Sequence, residues 1–231
     1  MLPKILKILA LIAGVASILV SVTISNEDTA YVKPFFHIFL FLFYTLSAKR
    51  FNFFLFLFLG CLLVAEYFVA KDFVGYYYII IPLFIISFIT GIALLRPMLR
   101  FMKAEWSRVD IFTPLLSAIG LAYVIVSVYT LTIAPIDDTF LDIAGMAAFS
   151  LFVIACFYVT IFNVHPKNVY LFITGAGYMF VCMGYLIYEL VFKATILLAL
   201  VNICEVLAQF YFVLYLVHIK SIVKSKFQRY L

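Results

Sequence analysis

Charge is what this chain has least of. Asp, Glu, Lys and Arg make up 12% of its 231 residues, where a soluble domain carries about 25%. The remainder is 68% hydrophobic, with a mean hydropathy of +1.22, and leaves no hydrophilic stretch long enough for a soluble domain. Residues 1–231 therefore read as one integral membrane domain. Cysteine is also sparse: Cys61, Cys156, Cys182 and Cys204 all lie inside apolar runs, with no ligand-type spacing. That pattern suits small buried hydrophobes and gives no metal site. There is no GxSxG, HExxH or glycine-rich phosphate loop, so a serine hydrolase, a zinc protease and a nucleotide enzyme are all unsupported, and no cofactor is expected. Of the three histidines, His37 falls within a span, whereas His165 and His218 fall near the opposite membrane face; they do not form a metal triad. The formal net charge of +5 is not a nucleic-acid signal, because Lys and Arg in a membrane protein chiefly record orientation.

What is present is a series of apolar runs. Phe51 to Ala70, FNFFLFLFLGCLLVAEYFVA, is nearly unbroken, and about 20 residues at ~1.5 Å each cross the ~30 Å hydrocarbon core. The sequence predicts eight spans, at 5–23, 30–48, 52–70, 76–95, 111–134, 141–162, 169–190 and 195–218. The first, with a basic start, has the look of a signal peptide but lacks a clear cleavage site, so it is kept as a helix. The longest connection, Arg96 to Asp110, reads as a basic interfacial segment anchored by Trp106. If the N-terminus is cytoplasmic, 13 of the 16 basic residues lie inside, and only Lys33, Lys71 and Lys193 lie outside. The expected fold is all-α, an eight-span bundle with both termini cytoplasmic, in a bacterial inner membrane or its equivalent. Two segments, CLLVAEYFVAK and CMGYLIYELVFK, share a faint pattern that a duplication or chance would equally produce.

Three carboxylates fall within spans: Glu66, Glu189 and Glu205. Each is unfavourable there by roughly 2.5–3.5 kcal/mol at a span centre, less near an interface. In the predicted topology all three map to the outer half of the bilayer. Tyr185 and Glu189 are four apart and share a helix face; Asn202, Glu205 and Gln209 share another. Lys33, followed by Pro34 in a presumed first helical turn, supplies the nearest cation. A polar pocket lined by Glu66, Glu189 and Glu205 with Lys33 at its rim is the functional expectation. The bland alternative is that Glu66 and Glu189 snorkel to the interface and pair with Lys71 and Lys193. Two carboxyls in low dielectric repel when both are ionised, so one tends to keep its proton and act as an acid while the other acts as a base. Such a pair suits acid-assisted hydrolysis of an ether-type bond and suits a proton-coupled transporter equally well. Gly175 and Gly177, in TGAGY, read as positions of close helix packing.

Four local features resemble the YhhN-like lysoplasmalogenase family of eight-span membrane proteins. Lys33-Pro34 opens span two, where the family has Lys-Pro. FLGCLLVAE ends at Glu66, where the family has a helix ending Gly-Asp. Span seven carries Gly177, where the family has Gly-Ala-x-x-Phe-x-x-Ser-Asp, and span eight carries Ala208-Gln209, where the family has Tyr-x-Ala-Gln. The resemblance implies hydrolysis of the vinyl ether of a lysolipid-like substrate, giving a fatty aldehyde and a glycerophospho-base, by paired aspartates. Glu66 stands where the first aspartate would be. Tyr185 stands at the second, with Glu189 one turn on, or Glu205 on the next helix, placed to substitute. Lys33 would hold the phosphate, with Asn202 and Gln209 beside it. Span four, SFITGIAL, lacks the histidine the resemblance implies. A lipid or small-molecule transporter and a catalytically degenerate relative are the alternative readings, with the bilayer as partner in every case.

Overall fold

The computed structural model describes residues 2–101, 139–162 and 165–227. They form helices α1 (Leu2–Thr23), α2 (Thr29–Ala48), α3 (Phe53–Asp72), α4 (Tyr77–Phe101), α5 (Thr139–Phe162), α6 (Asn168–Leu190) and α7 (Thr195–Phe227). All seven are long and apolar enough to cross a membrane, which marks an integral multi-pass protein. In hydrocarbon each backbone N–H and C=O must be satisfied within the chain, and a continuous helix does this locally. The predicted span 111–134 and Trp106 lie outside the described residues.

Two boundaries and the place of one proline differ from expectation. Helix α4 runs through Arg96 and Pro97 to Phe101, so the opening of the predicted interfacial segment is helical. Helix α7 runs to Phe227 rather than 218, because Lys and Ser interrupt the hydropathy without breaking the helix. Helix α2 begins at Thr29, after a turn over Asn26–Asp28, which leaves Pro34 inside the helix and not in its first turn. Its missing N–H removes the bond that would reach the Ala30 carbonyl.

Local signals set the connections. Lys49 closes α2 in the left-handed conformation, with φ 51° and ψ 39°. Asn52 then caps α3, its side chain accepting from the backbone N–H groups of Phe54 and Leu55. This tight turn makes α2 and α3 antiparallel neighbours. Tyr77, at the start of α4, donates a hydrogen bond to Asp142, at the start of α5. These two helices therefore begin at the same end of the bundle, as spans four and six of the predicted order should.

Helix α7 is the hub, packing against α1, α2, α4 and α6. Its approach to α6 is close: a Cβ built on Gly177 would stand 2.9 Å from the Ala208 Cβ and 3.1 Å from the Cys204 carbonyl. Gly175 similarly faces Cys156 of α5, so both glycines serve close packing as expected. Helices α3 and α7 do not meet backbone to backbone. Aromatic side chains fill the gap, with Phe58 and Phe212 rings 4.9 Å apart. Phe152 of α5 packs on both, and Phe88 and Tyr178 complete the cluster.

Candidate functional site

Beside that aromatic cluster, side chains from three helices meet. Lys33 and His37 are four residues apart on α2 and so lie on one face. Glu66 comes from α3, and Glu205 and Gln209 come from successive turns of α7. All five are at most 9% exposed. Lys33 Nζ donates to Glu205 Oε2 at 2.7 Å and stands 3.5 Å from Glu66 Oε2. Gln209 Nε2 donates to Glu66 Oε1 at 2.6 Å. One ammonium thus holds two carboxyls, and the two distances place those carboxyls closer than the ~8 Å that still lets a water sit between a catalytic pair.

His37 completes the arrangement. Its Nδ1 lies 3.0 Å from the Lys33 carbonyl. A carbonyl only accepts, so Nδ1 carries a proton, and a neutral ring leaves Nε2 as a bare acceptor. That Nε2 faces Glu66 Oε1 at 3.6 Å and has no hydrogen-bond partner. Two acceptors facing each other are satisfied only when a proton lies on one of them. His37 and Glu66 are therefore placed to share one proton.

The cluster forms part of the wall of a cavity of about 170 Å³ lined by α3, α4, α5, α6 and α7, with Lys33 of α2. Apart from the cluster its lining is mainly Phe, Tyr and aliphatic side chains. Asp142, bonded to Tyr77, lines it as well, as do Tyr178 and Tyr185. The Tyr178 hydroxyl is buried without a partner. Phe58 lies eight residues before Glu66 and Phe212 three after Gln209, so the aromatic cluster closes the cavity toward the end where α3 begins and α7 finishes. A second hollow, about 330 Å³, opens between α2 and α3 beside Pro34, Val64 and Tyr67. Lys33 lines both spaces.

The expected residues divide accordingly. Glu66, Glu205 and Gln209 meet. Lys33 meets them too, but as a buried centre and not at a rim; its head is committed to two carboxylates, which leaves it ill placed to hold a phosphate. Tyr185 lines the cavity while accepting from Asn26 Nδ2 at 3.2 Å and donating to the Val69 carbonyl at 3.4 Å. Asn202 is turned away, donating to Ser21 Oγ and the Leu198 carbonyl. Glu189 pairs with the exposed Lys193 at 3.3 Å, as the bland alternative had it, and does not itself line the cavity, although it lies beside Tyr185, which does. Glu66, by contrast, does not pair with Lys71, whose head stands over the Tyr67 ring at 4.5 Å. His37, Asp142 and Tyr178 were not expected at the site. The four-residue spacing of Lys33 and His37 was the available signal for the first; nothing local marked the others. Among the described residues no group of His, Cys, Asp and Glu is arranged to hold a metal. The chain matches no protein-family model, no curated protein and no solved structure.

Proposed function

We propose that the cavity is an acid–base centre for an amphipathic lipid, and that its reaction is the one the YhhN-like resemblance implies, hydrolysis of a vinyl ether. The observation that supports this most is the joining of Glu66 and Glu205, from helices whose backbones stay apart, through one buried ammonium at the wall of an apolar cavity. In R–CH=CH–O–R′ the barrier falls when an acid places a proton on the carbon β to oxygen, giving an oxocarbenium ion. Glu205, with a single donor partner, is the proton source. Glu66, faced by Gln209, Lys33 and His37, supplies the negative charge that stabilises the cation. Water adds to the oxocarbenium carbon and gives up a proton to the Glu66–His37 couple. The hemiacetal then breaks its C–O bond: its hydroxyl proton passes to Glu205, the proton held by the couple goes to the departing oxygen, and the aldehyde R–CH2–CHO and the alcohol HO–R′ leave with both groups restored. Lys33 is a positioning residue in this scheme, and the apolar cavity takes the alkenyl chain.

Purified protein in lipid nanodiscs should release aldehyde from a lysoplasmalogen. Glu66→Gln and Glu205→Gln should each lower kcat by roughly 10²–10⁴-fold, the usual contribution of a positioned acid or base. Undiminished turnover in both variants would end this reading. A proton-coupled carrier is the second reading, favoured by the way Lys33 borders both hollows. It predicts flux driven by a pH gradient in liposomes, with no product formed.

A further inference from the structure

The end of the bundle opposite the described carboxylates holds a second cluster, of lysine and histidine side chains. Lys167 Nζ, just before α6, lies 2.8 Å from His218 Nδ1 on α7. A lysine head has donors only, so Nδ1 accepts, and the imidazole carries its proton on Nε2. The backbone N–H of Lys167 donates to His165 Nδ1 at 3.1 Å, which fixes the loop that presents the lysine. Lys7 of α1 and His165 are within electrostatic reach of His218, and the Lys7 head stands 5.8 Å from the centre of the Phe210 ring. Lys167 is also the N-cap residue of the 23-residue helix α6, and its side chain makes no capping bond, so the positive end of that helix dipole is added.

Three features separate this from ordinary loop charge. First, the Lys167 head is paired to a neutral ring that is itself a donor, not to a carboxylate. Second, the groups come from three separate parts of the fold: α1, the α5–α6 connection and α7. Third, the described carboxylates, Glu27, Asp28, Glu66, Asp72, Asp142, Glu189 and Glu205, all lie toward the other end, at or beyond the ends of α1 and α3, at the start of α5 or within the facing turns of α3, α6 and α7. An array of donors and positive charge at a helix terminus fits an oxyanion. We infer that Lys7, Lys167 and His218 form a site for the phosphate of an anionic lipid headgroup, seated between α1, α6 and α7. This site is separate from the cavity and does not rest on the hydrolase reading.

The test uses the full chain in nanodiscs of phosphatidylcholine alone or with one part in three phosphatidylglycerol. Thermal unfolding midpoints are read, and native mass spectrometry counts retained phosphatidylglycerol. Wild type should unfold several degrees higher with phosphatidylglycerol and retain at least one such lipid. Lys7→Gln/Lys167→Gln should lose most of that increment and the retained lipid. Lys220→Gln, which removes one charge from an exposed position at the same end, should keep both. Equal responses from the double variant and wild type would overturn the site, and so would an equal loss in Lys220→Gln, which would mean diffuse attraction to the leaflet. A Lys167→Arg variant retains the charge and separates loss of the site from loss of folding: it should keep the lipid increment, and losing it together with the double variant overturns the site. Stabilisation in detergent by inorganic phosphate, without any effect of phosphatidylglycerol, would assign the oxyanion to a soluble source and overturn the lipid assignment.

Discussion

At the scale of single residues, Lys33 decides the site. Two carboxylates buried beside each other are tolerable because one ammonium reaches both, yet the same arrangement makes the lysine hard to remove. Lys33→Met leaves two buried carboxyls without their cation, and breaking a buried pair in this way destabilises by about 3–5 kcal/mol. A large drop in the unfolding midpoint in detergent is the expected outcome, and an unchanged midpoint would show that the triad is not formed. Gln209→Leu removes a hydrogen bond to a charged acceptor, worth about 1.5–3 kcal/mol, and should lower the midpoint less than Lys33→Met does. Tyr178→Phe behaves differently. Its hydroxyl has no partner, so stability should stay the same or rise slightly, while any change in turnover or ligand affinity would report contact of that hydroxyl with a ligand. Glu189→Gln should cost far less activity than Glu66→Gln, since its carboxyl pairs with Lys193 and is not part of the cavity lining; a loss as large as that of Glu66→Gln would contradict the placement of Glu189 outside the site.

At the scale of elements, the helix ends and helix contacts carry the testable content. Lys49 occupies a left-handed conformation that L-residues adopt at some energetic expense and glycine adopts freely. Lys49→Gly should therefore raise stability by up to about 1 kcal/mol, read as a higher midpoint with unchanged activity. The α6–α7 contact gives the opposite sign. Gly177→Val would drive its side chain into Ala208 and the Cys204 carbonyl, and overpacking of this kind destabilises by about 1–3 kcal/mol. Because α7 carries both Glu205 and Gln209, the same substitution should weaken the Glu66–Gln209 bond and lower turnover beyond the loss of folded protein. The prolines illustrate why element boundaries were harder to read than elements. Pro34, Pro82 and Pro97 all lie inside helices, where a soluble helix would kink or stop. In a bilayer the neighbouring helices hold the chain, and one missing N–H is tolerated.

At the scale of the whole molecule, the charges of the described residues divide the bundle into a basic end and an acidic end, with the cavity toward the acidic one. If the basic end is cytoplasmic, a single cysteine at Asn26 and one at Arg50 should react with an impermeant thiol reagent from opposite sides of sealed vesicles. Labelling of both from the same side would overturn the orientation. Composition and hydropathy were enough to read the membrane class, the all-helical fold of the described residues and seven of the predicted spans, five of them to within a few residues at both ends, because the demand that backbone groups be satisfied in hydrocarbon acts on each segment alone. They also singled out Glu66, Glu205, Gln209 and Lys33, because a charged or amide side chain in an apolar run is conspicuous wherever it falls. The meeting of these side chains was a tertiary matter. It depended on how far each helix is rotated and how closely α6 lies on α7, and a near-uniform apolar surface leaves those quantities undefined in the sequence. For the same reason only the packed structure placed Lys33 between the carboxyls, turned Asn202 toward α1 and Glu189 toward Lys193, and brought His37, Asp142 and Tyr178 to the site.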